Sequence, residues 1–284
     1  MRAGAMETPP LTWDSIPGRE DGALPLFEAA LLVARDEYPR LDPALYEAIV
    51  ESHVTHLRAQ VDGLEHPASK MQAINRHLFE ELGYAGNRDE YDDPRNSYIN
   101  EVLERRLGNP ISLALVQMEV SRRLGVPLEG VSFPGHFLVR LPVEDGVLVM
   151  DPFNRGRPLD AAELRHRAGV HMDGVEPDDD TLLRILRPAS HRAILARVLR
   201  NLHGAYCKAG DWERATRCAD RLLKLDPGDA GALRDRGHGY LQVGHLAAAR
   251  EDLALYLARH PDAEDAAQVR EWLVVTGLAR ARIH

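Results

Sequence analysis

Residues 91–141 read YDDPRNSYINEVLERRLGNPISLALVQMEVSRRLGVPLEGVSFPGHFLVRL, and this stretch decides the fold because its hydrophobic pattern changes after Gly125. Before that glycine, the run that follows Pro110 is apolar around most of its circumference, which is typical of a helix in a protein core. Asn109 and Pro110 form a helix start signal, since asparagine caps helices well and proline suits the first helical position. The pattern therefore predicts a buried helix that begins at Pro110.

Two strands are predicted downstream of this helix. The segments HFLVRLPV (136–143) and VLVMDPF (147–153) alternate or are continuously apolar, and a turn around Asp145 separates them. Upstream, apolar residues recur at helical spacing from residue 24 to about residue 82, which predicts a layer of helices. Helices followed by a hairpin favour an α+β domain, and we expect it to cover residues 23–188.

The C-terminal third of the chain repeats itself at a period of 34 residues. The repeated positions are Tyr206 and Tyr240, Gly210 and Gly244, Ala215 and Ala249, and Pro227 and Pro261. This is the tetratricopeptide period, and it predicts an all-α repeat domain over residues 189–284. About three repeats are usually needed for independent stability. We therefore expect these two units to dock on the first domain, or to be capped by helices near residue 190 and over residues 265–279.

Composition limits the location and the partners. Residues 1–22 are rich in Pro, Gly and acidic side chains without periodicity, which predicts a flexible lead-in. The net charge of −9 argues against nucleic acid or an anionic membrane as a partner. No apolar run approaches the roughly 18 to 20 residues of a membrane-spanning helix, and the first residues lack a signal-type core, so we expect a cytoplasmic protein. The two cysteines, Cys207 and Cys218, predict free thiols in a reducing compartment.

Ser112 falls in the first turn of the predicted buried helix, a position that suits covalent chemistry. Backbone N–H groups and the positive end of the helix dipole converge there, and both would stabilise an oxyanion. However, a serine hydroxyl gains much less activation from a helix dipole than a thiol does. Serine is also a common residue at helix starts, so a purely structural role is the simpler interpretation.

His136 and Asp151 are candidates for the orienting half of a catalytic triad, because one opens the first strand and the other ends the second. A two-residue turn at Asp145 and Gly146 would leave the pair offset by four residues, roughly 13 Å. A four-residue loop over residues 142–145 would set His136 directly across from Asp151. The catalytic interpretation therefore predicts the wider loop. A lone His and Asp beside a hairpin are more often structural.

The run quoted above, continued by MDPFN (150–154), resembles the SirB1 family of bacterial proteins. The resemblance spans roughly residues 70–160. That family pairs a transglutaminase-like, papain-like domain with C-terminal tetratricopeptide repeats, so it implies the same two-part architecture here.

The resemblance also implies roles for individual residues. In active transglutaminase-like proteins, a Cys at a helix N-terminus, a His on the next strand and an Asp on the strand after form the triad. His136 and Asp151 match the last two roles. The Cys position falls on Ser112, or on Pro110 if the helix is aligned by its end at Gly125. Since neither residue is a thiol, a Ser-His-Asp hydrolase would depart from the family pattern.

Three further residues are candidates for lining the groove near Ser112: Asn96 and Tyr98, in the run PRNSYIN, and the cap residue Asn109. Capping and core packing explain these side chains equally well.

No cofactor or metal is expected from the sequence. His53 and His56 are three residues apart on a helix, and His166 and His171 lie in a polar stretch. Neither pair belongs to a two-cysteine or His-Glu-x-x-His motif, so surface histidines are the simpler interpretation.

Three functions remain open from the sequence. The first is a non-catalytic or weakly catalytic scaffold that binds a protein or peptide partner through its groove and repeats. The second is a hydrolase or acyltransferase with Ser112 as nucleophile, His136 as general base and Asp151 as its orienter. The third is a structural subunit. Cys207 and Cys218 could supply a thiol only if the repeat tail folded back onto the hairpin, and helix packing explains them more simply.

Overall fold

The computed structural model of the chain describes residues 11–281, with side chains described up to residue 277. Its N-terminal part contains seven α-helices in chain order: α1 Leu26–Arg35, α2 Pro43–Val61, α3 Pro67–Asn75, α4 Ile99–Arg105, α5 Pro110–Arg123, α6 Ala161–Gly169 and α7 Asp179–Ile185. A π-helical turn, Arg76–Glu81, continues α3. No helix in residues 11–281 is long and apolar enough to cross a bilayer.

Helix α5 forms where the sequence predicts it. The Asn109 side chain accepts a hydrogen bond from the Ser112 backbone N–H at 3.0 Å, and Pro110 occupies the first turn. Most of the helix is buried among the other helices and the sheet, as its nearly continuous apolar surface requires. The prediction of a core helix that begins at Pro110 is therefore confirmed.

Within residues 11–281, six strands form two small sheets. Their bounds are β1 Ala85–Gly86, β2 Leu107–Gly108, β3 Glu129–Val131, β4 Leu138–Val143, β5 Gly146–Asp151 and β6 Arg157–Leu159. β1 pairs with β2 in parallel, and β3, β4, β5 and β6 follow one another in an antiparallel sheet. The helical layer with a small antiparallel sheet confirms the α+β prediction for this part of the chain.

The register of the hairpin differs from both registers considered from the sequence. Val143 pairs with Gly146, so the loop between β4 and β5 is only Glu144 and Asp145. The wider loop that the catalytic interpretation predicts does not occur, and that prediction was wrong. The alternative turn at Asp145 and Gly146 does not occur either, because Gly146 pairs as the first residue of β5.

From residue 191 to residue 281 the C-terminal part is built from α-helices, as the 34-residue period predicts. Its helices are α8 His191–Ala209, α9 Trp212–Leu225, α10 Ala230–Gln242, α11 Leu246–Arg259 and α12 Ala266–Ala281. Each helix packs against the next. The guanidinium of Arg250, in α11, donates to the backbone oxygen of Thr276, in α12, at 3.0 Å, so the last helix covers the end of the second repeat.

The repeats dock on the N-terminal part through a continuous buried core, which joins side chains of α1 and α5 to Ile194 and Leu222. At this junction the buried hydroxyls of Tyr98 and Tyr206 lie 2.7 Å apart. The guanidinium of Arg214, in α9, binds both carboxylate oxygens of Glu37 at 2.7 Å. Packing against the first domain thus takes the place of the neighbouring repeats that would stabilise these two units in a longer array.

The N-terminal lead-in differs from the sequence expectation. Residues 1–10 lie outside the described residues, but Trp13 and Ile16 are buried against the core. The Asp21 carboxylate accepts hydrogen bonds from the backbone N–H groups of His191 and Arg192, both at 2.9 Å, at the start of α8. The expectation of a flexible segment is therefore wrong for residues 11–22, because their few apolar and acidic side chains contact elements far away in sequence.

Candidate functional site

His136 and Asp151 meet at one end of the antiparallel sheet. His136 Nε2 lies 2.9 Å from Asp151 Oδ1, although the hairpin register leaves the two residues diagonally offset. A turn closes the gap: the His136 N–H donates to the Phe133 oxygen at 3.1 Å, and Pro134 and Gly135 occupy the central positions. With a φ of +65° at Gly135, this turn resembles type II, which favours proline and then glycine. The turn, and not a wide loop, brings the imidazole to the carboxylate.

The Asp151 carboxylate is fully buried and receives hydrogen bonds on both oxygens. Oδ1 accepts hydrogen bonds from the backbone N–H groups of Phe153, at 3.1 Å, and Asn154, at 3.3 Å. Oδ2 accepts hydrogen bonds from the Asn154 side-chain amide and from the Arg167 guanidinium, the latter at 2.9 Å. Burial alone would raise the pKa of Asp151, but its hydrogen bond and charge interaction with His136, with help from Asn154 and Arg167, hold that pKa well below its usual range. Asp151 is therefore ionised and can hold the imidazole in one orientation.

Asn154 and Arg167 also contact the Asp151 carboxylate, although no sequence motif singled them out. Asn154 follows Asp151 in the run DPFN, where an aspartate before a proline is a known turn signal, so its contact was foreseeable. Arg167 lies on α6, and nothing in its spacing indicates that its side chain reaches Asp151.

His136 packs against Phe153, which in turn contacts Tyr91. The Phe153 ring contacts the His136 ring edge to face at 6.0 Å and the Tyr91 ring at 5.9 Å, and the Arg88 guanidinium lies 5.0 Å from the Phe153 ring centre. Phe153 fits because Gly86 has no side chain, since a Cβ there would lie 2.4 Å from the ring. The His136 side chain is 21% exposed and Tyr91 is 53% exposed. We call Tyr91, His136 and Phe153 the aromatic surface.

Ser112 lies in the interior with its hydroxyl engaged by the backbone. Its exposed fraction is 0%. Oγ donates to the Asn96 oxygen at 2.6 Å, lies 3.1 Å from the Asn109 oxygen, and accepts from the Asn109 N–H at 3.0 Å. Among the described residues, no hydrogen bond joins this hydroxyl to His136. The arrangement is a capping box, and the catalytic role of Ser112 stays a prediction.

Asn96, Tyr98 and Asn109 are also buried. The Asn96 side chain donates to the Glu90 oxygen at 2.6 Å and accepts from the Asn87 amide at 3.0 Å, so it ties down the preceding loop. Tyr98 lies at the junction with the repeats, and Asn109 caps α5. Asn109 borders a cavity of about 70 Å³ between that loop and α8, and a groove-lining role for these three residues stays a prediction.

The two larger cavities of the described chain lie away from this site. One, of about 910 Å³, is lined in part by Met150. Because successive side chains of a strand point to opposite faces of the sheet, Met150 and its neighbour Asp151 face opposite sides. The other, of about 600 Å³, lies beside α1 and the C-terminal half of α5 and includes Phe27 and Met118.

The two cysteines are poorly suited to replace the missing thiol. Burial raises the pKa of Cys218 to about 12, and burial also raises the pKa of Cys207. The Cys207 Sγ lies 3.6 Å from Nε2 of His203 on the same helix. Thiols in such surroundings are protonated and unreactive at neutral pH.

Comparison with known proteins agrees with this architecture. The transglutaminase-like superfamily matches residues 44–200, and the tetratricopeptide repeat matches residues 202–273. No solved structure gives a significant match.

Several curated proteins are similar to the chain. It is 58% identical over 272 residues to a UPF0162 protein of Xylella fastidiosa, covering 96% of this chain and 97% of that protein. It is 36% identical over 238 residues to a UPF0162 protein of Pseudomonas aeruginosa, covering 83% and 86%. A shorter similarity, 38% identity over 118 residues, covers 38% of this chain and 19% of mouse F-box only protein 21. The chain therefore belongs to the UPF0162 proteins of the transglutaminase-like superfamily, with the SirB1-type order of a transglutaminase-like domain followed by tetratricopeptide repeats.

Proposed function

We propose that this protein is a non-catalytic scaffold that binds a protein or peptide partner through its aromatic surface and its repeats. The observation that carries the proposal is the state of Ser112, one of the two residues that the family resemblance aligns with the nucleophile, because its hydroxyl serves as a helix cap. At the family level, a transglutaminase-like domain with tetratricopeptide repeats supports a scaffold for protein interactions.

The chemistry of acyl transfer explains why this state matters. A serine nucleophile must pass its proton to a base within about 2.6–3.2 Å and must reach the substrate carbonyl. The Ser112 proton points instead to the Asn96 oxygen, 2.6 Å away, and the side chain has no exposed surface. Attack would require the capping box to open. Pro110, the other aligned position, carries no nucleophile.

Two surfaces support partner binding. On the aromatic surface, Tyr91 is exposed beside Phe153, and tyrosine is well suited to interfaces because it combines a large apolar ring with a polar hydroxyl. In the repeats, the His238 ring stacks on the Trp272 ring, with centroids 4.0 Å apart, and makes a T-shaped contact with the Trp212 ring at 5.1 Å. These rings pack the helices of the repeats together, since Trp212 and Trp272 are partly buried against the core. Stacked repeats in general present an extended surface to a partner.

A second candidate is a hydrolase that uses Ser112, His136 and Asp151. One observation favours it: the His136 and Asp151 pair is intact at 2.9 Å, with an ionised carboxylate that would orient a general base.

Labelling with a fluorophosphonate probe separates the two candidates. The scaffold predicts that wild-type protein and Ser112→Ala show the same background labelling. Labelling of the wild type that disappears in Ser112→Ala would establish the hydrolase and overturn the scaffold.

Partner capture tests the binding role directly. A photo-crosslinking residue at position 91 should join the protein to a partner in extracts of its host, and His136→Ala should weaken that cross-link. The matched control places the same residue at Leu45, an exposed apolar position on α2. Equal cross-linking from both positions, with no effect of His136→Ala, would leave only a structural role for this surface.

A further inference from the structure

We propose that His56, His77 and Glu81 form a binding site for a divalent transition metal ion such as Zn²⁺. The sequence offered no reason to expect it, because His53 and His56 lacked a completing motif. The fold supplies the missing ligands by packing the π-helical turn that contains His77 and Glu81 against α2.

The ligand atoms converge. His77 Nδ1 lies 2.9 Å from Glu81 Oε2, and His56 Nε2 lies 3.8 Å from the same oxygen. All three potential ligand atoms lie within 4.8 Å of one another. Zinc ligands about 2.0–2.2 Å from a tetrahedral ion are roughly 3.3 Å apart, so closure needs movements of about an ångström. His56 and Glu81 can make them, since their side chains are 53% and 41% exposed.

The local backbone explains the arrangement. Residues Arg76–Glu81 form a π-helical turn, a rare geometry that occurs often at functional sites. It keeps the buried His77 and the more exposed Glu81 on one side, facing the His56 ring, which stacks on the His77 ring at 4.5 Å. The buried histidine provides a fixed ligand. Because an imidazole nitrogen binds a metal in the plane of its ring, the exposed His56 ring must rotate out of the stack, and Glu81 must move with it, to close over the ion.

Neighbouring side chains orient the ligands. The Gln60 oxygen accepts from Arg76 at 2.9 Å, which directs the Gln60 amide nitrogen to His56 Nε2 at 3.2 Å. His56 Nε2 is then an acceptor, and a metal needs the same unprotonated nitrogen. Arg76 Nε also lies 3.3 Å from Glu81 Oε1, which leaves Oε2 for the ion. Outer contacts of this type commonly hold metal ligands in place.

The ligand set selects the ion. Two imidazoles and one carboxylate suit Zn²⁺ and related ions such as Co²⁺, whereas Mg²⁺ and Ca²⁺ prefer oxygen ligands. Three protein ligands leave one tetrahedral position for water. In the ion-free chain His77 Nδ1 shares a hydrogen bond with the Glu81 carboxylate. This nitrogen can bind a metal only in the tautomer that carries the ring proton on Nε2.

Titration of the untagged full-length protein with Co²⁺ and Zn²⁺ tests the site. We expect one equivalent of Co²⁺ to give tetrahedral d–d absorption bands that Zn²⁺ abolishes. His56→Ala and Glu81→Gln should each weaken Zn²⁺ binding at least tenfold by calorimetry, with unchanged circular dichroism. The matched control, His166→Ala, removes an exposed histidine 3.6 Å from Glu176 and should leave binding unchanged.

Three results would overturn the proposal. One is the absence of saturable binding by the wild type. Another is binding that survives both His56→Ala and Glu81→Gln, which would mean an adventitious ion only. The third is loss of binding in Cys207→Ser, which would place the ion on the repeats near His203.

Discussion

Replacing Ser112 with alanine tests whether its hydroxyl is a helix cap. The change removes the bond to the Asn96 oxygen at 2.6 Å and the contact from the Asn109 N–H at 3.0 Å. The Asn109 N–H keeps a second acceptor, the Asn96 oxygen at 3.1 Å, so it is not left unpaired. A lost buried hydrogen bond and a weakened cap each cost about 1 kcal/mol and overlap here, so we expect the free energy of unfolding to fall by about 1–2 kcal/mol.

Urea unfolding followed by far-ultraviolet circular dichroism measures this loss. We expect a lower midpoint, an unchanged slope and a single transition, because the repeats share one core with the first domain. In a thermal scan the midpoint should fall by roughly 2–4 °C. The matched control is Ser52→Ala. Ser52 also donates to a backbone oxygen, that of Ile49 at 2.7 Å, but it is exposed and should change stability by less than about 0.5 kcal/mol.

Two outcomes would refute this reasoning about Ser112. Equal stabilities of Ser112→Ala and Ser52→Ala would show that the capping bonds contribute nothing. Unchanged stability together with loss of probe labelling or partner binding would show that the hydroxyl is free, and the nucleophile interpretation would then be favoured.

Three further predictions concern the docking of the repeats, the aromatic surface and the buried carboxylate. Tyr206→Phe should lower the free energy of unfolding by about 1–3 kcal/mol, because it leaves the buried Tyr98 hydroxyl without its partner at 2.7 Å, and a midpoint equal to the wild type in urea would contradict this. Gly86→Ala should lower the free energy of unfolding by at least about 1–3 kcal/mol, because its Cβ would lie 2.4 Å from the Phe153 ring. An unchanged midpoint in thermal unfolding would show that this ring shifts freely. Folding lowers the pKa of Asp151 below its unfolded value of about 3.9. The ionised Asp151 carboxylate therefore contributes its full stabilisation above that unfolded pKa, and this stabilisation is lost as the pH falls toward the folded-state pKa. The urea midpoint of the wild type should therefore fall more steeply below about pH 5 than that of Asp151→Asn, and parallel curves would show that the carboxylate is not stabilised.

The candidate site was only partly predictable from sequence. The roles of Asn109 and Pro110 at the start of α5 could be predicted because capping involves residues a few positions apart. The contact between His136 and Asp151 could be proposed from the sequence, but the hairpin loop expected to produce that contact does not form. The catalytic interpretation required a wide hairpin loop, whereas a tight turn around Gly135 brings the imidazole into place.

The sequence by itself determined the helical layer, the hairpin strands, the core helix α5 and the 34-residue repeat, since periodicity and capping depend on near neighbours along the chain. Only the tertiary structure decided what the polar side chains do, because their partners lie far away in sequence and compete with one another. The Ser112 hydroxyl bonds to Asn96 across 16 residues, and Glu81 comes to His56 only when the π-helical turn packs on α2. In both cases hydrogen-bond geometry in the packed interior selected the partner.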